Sequence, residues 1–108
     1  MEKKEVLLET LKFLKEEPVT SEFAIFEYFK DMLTRRGEIG QKVQYSGLSI
    51  STSYVNMSES DQRLINDIIW DLIIERIITP GKDYGIYELP HLYVSDTEKL
   101  NQKYASLT

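Results

Sequence analysis

Apolar residues recur along the first sixteen positions with the spacing of one helical face. Leu7, Leu11 and Leu14 fall at i, i+4 and i+7, Leu8 lies beside them, and Val6 and Phe13 widen the stripe. The pattern predicts a helix over residues 2–16, with lysines and glutamates on the other side and Glu5 and Glu9 leading toward Lys12 at helical spacing. Pro18 stops this helix and biases Glu17 away from helical torsions. Val19-Thr20-Ser21 reads as a short extended piece ending in a cap, where Thr20 or Ser21 accepts from the free amides of the next turn. A second helix then runs to about Arg36, with Phe26, Phe29 and Leu33 as its buried edge, Phe23 and Met32 adjoining, and Gly37 as its stop.

Residues 37–57 carry a weaker pattern. Val43 and Tyr45 alternate with polar residues, as do Leu48 and Ile50 after Ser46-Gly47. The stretch fits either a small β-hairpin or a loop with one short helical turn. A third helix is the clearest element of the chain. It starts at Ser58, which with Asp61 resembles a capping box, and continues to about Arg76. Leu64, Ile65, Ile68, Ile69, Leu72 and Ile73 form its broad core stripe.

Beyond that helix the pattern changes period. Ile77-Ile78-Thr79 is β-branched, Pro80-Gly81 turns the chain, and Lys82-Asp83-Tyr84-Gly85 forms a loop. His91-Leu92-Tyr93-Val94-Ser95 reads as a returning strand, and residues 96–104 as a short last helix capped by Asp96 or Ser95. Residues 105–108 are expected to fray. One domain of 108 residues is the expectation, with 42% hydrophobic and 29% charged residues in the ordinary globular range.

The stretch from Ile69-Trp70-Asp71-Leu72 through Thr79-Pro80-Gly81, followed by Leu89-Pro90-His91-Leu92-Tyr93-Val94-Ser95, resembles bacterial winged-helix domains. There a third helix passes into a wing strand, a variable loop and a second wing strand. The detailed likeness covers about residues 69–100. It implies a mainly α protein with a small β-hairpin wing (α+β): a three-helix core, the wing and a short closing helix. The chain departs from the helix-turn-helix pattern at residues 37–57, a long insertion where a turn of ~3–4 residues normally fixes the docking angle.

Chemistry-bearing residues are scarce. The chain has no cysteine, which excludes disulfides, thiol nucleophiles and thiolate metal sites. His91 is the only histidine, and no nucleophile or carboxylate is nominated to join it, so it reads as a hydrogen-bonded strand residue. Glu59-Ser60-Asp61 reads as a capped helix start, and Gly81 and Gly85 are too few for a phosphate cradle. No catalytic residue, metal site or cofactor is expected. No apolar run approaches the ~18–20 residues that span a bilayer, and the first residues lack a signal-peptide layout, so the expected compartment is the cytoplasm.

Charge complicates the function the resemblance implies, which is first that of a small DNA-binding transcription regulator. Residues 1–57 hold 8 basic and 9 acidic side chains, and residues 58–108 hold 5 and 9, so most of the net charge of −5 lies in the second half. With the isoleucines inward, the third helix shows Gln62, Arg63, Asn66, Asp67, Trp70, Asp71, Ile74 and Glu75 outward. Asp67, Asp71 and Glu75 then form an acidic row that would repel phosphates. DNA-binding candidates are Gln62, Arg63 and Asn66, whose types read base edges, with Lys82, Arg35 and Arg36 for the backbone. The alternative is an acidic winged-helix protein-interaction or adaptor module, of the kind a phage or mobile element directs at a host protein. Its anchors would be Trp70, Ile74, Tyr84 and Tyr87, unless residues 37–57 fold over Trp70 and Ile74. The partner is thus DNA or a protein. Homodimerisation through the first or last helix is a further expectation.

Overall fold

A computed structural model describes residues 1–82 and 89–108 of the chain. The order of elements is α1 (Lys3–Glu16), β1 (Val19–Ser21), α2 (Glu22–Arg35), β2 (Gly40–Ser46), β3 (Ser49–Val55), α3 (Glu59–Ile74), β4 (Ile78–Pro80), β5 (His91–Val94) and α4 (Thr97–Leu107). The architecture is mixed α and β. Four helices accompany a three-stranded sheet of order β1-β5-β4 and a separate two-stranded sheet, β2-β3.

Helix boundaries follow from local chemistry. Ser21 Oγ accepts from the Ala24 amide at 3.1 Å, Ser58 Oγ from Asp61 at 3.2 Å, and Asp96 Oδ1 from Lys99 at 3.0 Å, so each start satisfies an otherwise orphaned donor. The Ser58 motif is only half a capping box, because the Asp61 carboxylate takes the Met1 ammonium at 2.9 Å. α2 ends where Gly37 adopts a φ of 76°, a left-handed torsion that costs glycine nothing. α3 ends less comfortably, with Arg76 at a φ of 62° so that the Ile77 amide can reach the Leu72 carbonyl at 3.0 Å.

The core lies where α1, α2 and α3 meet the inner face of the small sheet. Val6, Leu11, Leu14, Ile25, Phe29, Ile65, Ile68, Ile69, Leu72, Ile78, Leu92 and Leu100 are all buried within it. Thr10 is the one buried polar residue among those described, and its Oγ1 donates to the Val6 carbonyl at 2.7 Å. Two expectations for the helices need correction. α2 buries Ile25, Phe29, Met32 and Leu33, while Phe26 is half-buried and Phe23 is 70% exposed. Phe23 precedes Ile25 by two positions, about 200° around the helix, so it cannot share that stripe. Glu5 and Glu9 also reach across to α2 rather than along α1: Glu5 pairs with Arg36 at 2.7 Å, and Glu9 accepts from the Tyr28 hydroxyl at 2.6 Å.

The returning strand β5 is central, pairing antiparallel with β1 (Val19 opposite Tyr93) and with β4 (Ile78 opposite Val94). α4 runs on to Leu107 instead of fraying at residue 105. Tyr104 and Leu107 pack against the core, and Lys15 sits over the Tyr104 ring at 4.3 Å, which gives the last turn something to hold.

Residues 37–57 resolve to the hairpin alternative. β2 and β3 pair over seven positions from Gly40 opposite Val55 to Ser46 opposite Ser49. Gly47 and Leu48 make the two-residue turn, and the φ of 59° at Gly47 is the torsion such turns require. Ile39 and Met57 are buried at the base, while every hairpin position from Gln41 to Val55 is exposed. The arm stretches the molecule to 60 × 31 × 22 Å and its radius of gyration to 16.8 Å, against about 13 Å for a compact chain of this length.

Candidate interaction surface

The outer face of α3 is open. Gln62, Arg63, Asn66, Asp67, Trp70, Asp71, Ile74 and Glu75 are all exposed, because Ile65, Ile68, Ile69 and Leu72 occupy the opposite side. Trp70 is 43% and Ile74 75% exposed, one helical turn apart. The β2–β3 arm stands off from the body and leaves both uncovered. Beside them, Lys3 and Leu7 of α1, Asp71 and Ile74 of α3, and Lys103 of α4 line a shallow groove.

Electrostatics sort these residues into engaged and available. The Arg63 guanidinium is held by Glu59 one turn earlier at 2.6 Å, and the Gln62 amide donates to the Met57 carbonyl at 3.0 Å. Both are exposed enough to release these contacts, but in the free protein they serve the helix start. At the other end, Glu75 pairs with Lys103 at 2.8 Å. The expected row of three open carboxylates is therefore reduced to two, since α4 supplies a counter-charge that the sequence pattern did not reveal. Asp67 and Asp71 have no ion-pair partner among the described residues.

The other basic candidates do not reinforce Arg63. Arg36 is tied to Glu5, whose carboxylate raises its already high pKa and keeps the cation in place. Arg35 Nε donates to the Asp31 carbonyl at 3.3 Å, and Lys42, a further cation at the base of the arm, has its ammonium bound to the Gly37 carbonyl. Lys82 lies beside His91 in a different groove, walled by Phe13, Val19, Phe23 and Tyr28 and rimmed by Glu17, Glu27 and Asp31. His91 there is a strand residue: its carbonyl accepts from the Gly81 amide at 2.7 Å, and it pairs in register with Ser21. The Tyr28 hydroxyl in this groove is pushed up to about 12 by burial and by its hydrogen bond to Glu9, so it stays protonated at neutral pH. Tyr84 and Tyr87 lie outside the described residues.

Among the described residues, no three His, Asp or Glu side chains gather closely enough to hold a metal ion, and no helix is long and apolar enough to cross a membrane. Sequence reasoning missed the hairpin as a surface. Its signal was the alternation of Val43 and Tyr45, answered by Ile50 and Tyr54 on the returning strand. Comparison with protein families, with curated proteins and with solved structures yields no match.

Proposed function

We propose that this chain is a non-enzymatic regulatory or adaptor module of the winged-helix type, which docks on a protein partner through the outer face of α3. The observation that carries the reading is the pairing of exposed Trp70 and Ile74 with Asp67 and Asp71, which have no ion-pair partner among the described residues, while Arg63 is already engaged by Glu59. A tryptophan beside an isoleucine supplies apolar contact area of the sort that anchors interfaces. Its complement would be an apolar pocket rimmed by basic side chains. Support for the winged-helix type comes from the element order. Three helices precede an antiparallel β4–β5 pair, β1 joins that pair at its edge, and α4 closes the chain. The β2–β3 arm then occupies the place of the usual turn. The same proposal places the protein in the cytoplasm, in keeping with its cysteine-free composition.

A second reading, a small DNA-binding transcription regulator, is favoured by Asn66. This exposed side chain, midway along α3, is suited to adenine. Against it stands the repulsion between phosphates and Asp67 and Asp71, worth more at low salt. Two experiments separate the readings. Mobility shift with duplex DNA at ~50 mM and ~200 mM salt is expected to show no salt-sensitive complex. A complex weakened by Arg63→Ala or Asn66→Ala would transfer the proposal to DNA. In parallel, affinity capture with wild-type and Trp70→Ala bait is expected to differ by a defined set of partners. Identical captures would remove Trp70 as the anchor.

A further inference from the structure

The β2–β3 arm is amphipathic, and its apolar side faces water. Directly opposed residues of an antiparallel pair share a face, and the register sets Tyr45 opposite Ile50, Val43 opposite Thr52 and Gln41 opposite Tyr54. One face therefore carries Val43, Tyr45, Ile50 and Tyr54, which are 49%, 75%, 67% and 66% exposed. The other carries Lys42, Gln44 and the serines of both strands, with Val55 alone as an apolar side chain at its base. A two-stranded hairpin alone is marginal in water, so a ribbon with this one-sided composition needs a cover for its apolar face. None of the described residues supplies one.

We propose that the cover is a second copy of this chain, and that two arms pack face to face about a two-fold axis with their strands running tip to base. Charge selects the second copy over a nucleic acid. Residues 39–58 contain no acidic residue and one lysine, Lys42, which leaves 12 basic and 18 acidic residues, net −6, for the rest of the chain. The net charge of two such bodies is repulsive, and the arm is the segment that carries no negative charge. A polyanion, by contrast, would find no cation on the apolar face.

Geometry adds to this. Seven residues at ~3.3 Å give a ribbon of about 23 Å, so tip-to-base packing holds the acidic bodies apart by more than the ~8 Å screening length. In that arrangement the Tyr45–Ile50 layer at one tip lies on the Gln41–Tyr54 layer at the other base, and the Val43–Thr52 layers meet at the middle. Two tyrosines at two-thirds to three-quarters exposure, with Ile50 and Val43, offer about 600 Å² per copy, hence about 1,200 Å² buried in total, the lower bound of a specific interface. The dimer should accordingly be concentration-dependent. α1 and α4, the other dimer surfaces the sequence suggests, are already packed on one another through Lys15 and Tyr104. This inference does not rest on the α3 reading, because it uses a different surface.

Sedimentation velocity of the full chain across the micromolar range tests it. The wild type should move from the 12.6 kDa monomer to twice that mass as concentration rises. Tyr45→Lys and Tyr54→Glu should each weaken association by about tenfold or more. Mixing the two variants should restore a dimer, because the lysine at one tip meets the glutamate at the other base, and a variant that had merely misfolded would not recover. Trp70→Ala should leave association unchanged, which keeps this outcome separate from that of the α3 surface. A wild type that stays monomeric throughout, open-ended growth beyond a dimer, a Tyr45→Lys variant that remains dimeric, or a mixture that does not recover would each overturn the proposal.

Discussion

Tyr28 shows how one side chain ties two helices together and links them to pH. Its ring lies tilted against Phe13 at 5.0 Å and edge-to-face with Phe29 at 5.5 Å, and its hydroxyl donates to Glu9 at 2.6 Å. Burial and the nearby carboxylate raise its pKa from 10.0 to about 12. Between those two values the unfolded chain has released a proton that the native state still holds, so the contribution of this group is constant and fully present below 10.0 and is lost as pH rises from 10.0 to about 12. Tyr28→Phe should cost about 1 kcal/mol at neutral pH for the lost hydrogen bond, and should flatten that alkaline decline. Urea unfolding of both proteins at neutral and alkaline pH measures it. An equally steep decline in the variant would assign the slope to other groups.

At the scale of elements, α3 makes the sharpest claim about orientation. Leu72 is wholly buried and Ile74, two positions on, is 75% exposed. Leu72→Ala should therefore cost about 2–5 kcal/mol, while Ile74→Ala should stay within about 0.5 kcal/mol in the free protein. Comparable losses from both would mean that α3 is rotated relative to this account.

Most of what is short-range was legible in the sequence. The cap at Ser58, the caps narrowed to Thr20 or Ser21 and to Asp96 or Ser95, the stop at Gly37 and the isoleucine stripe of α3 all depend on neighbours within a turn or two. What escaped depended on contacts between elements. Phe23 was placed by its apolar character, although its helical phase points it away from the core. The Glu75–Lys103 pair joins residues 28 apart, and the last turn of α4 is held by α1, so neither shows in local periodicity. Alternation within residues 37–57 left hairpin and loop both open, because a ribbon exposed on both faces has no buried side to sharpen the pattern. For the candidate surface, the outward set on α3 was legible from phase alone. Which of its charges are neutralised was not.

Taken whole, the molecule is an acidic body with an arm that carries one positive charge, Lys42, and no negative one. The net charge of −5 keeps the body from condensing on polyanions. Trp70 with Ile74 on α3 and the Val43–Tyr54 face of the arm are two apolar exposures where contact can occur without that repulsion. They lie on separate elements, which would let one surface hold a second copy while the other holds a different protein.

The central claim, that α3 presents Trp70 to solvent between open carboxylates, has a direct optical test because Trp70 is the only tryptophan in the chain. Its fluorescence should be quenched by both cesium and iodide ions, with the cesium-to-iodide ratio above that of free N-acetyltryptophanamide. Asp67→Asn with Asp71→Asn should lower that ratio, and added duplex DNA should leave the emission unchanged. Protection from both ions, a preference for iodide, or shielding by DNA would contradict the account.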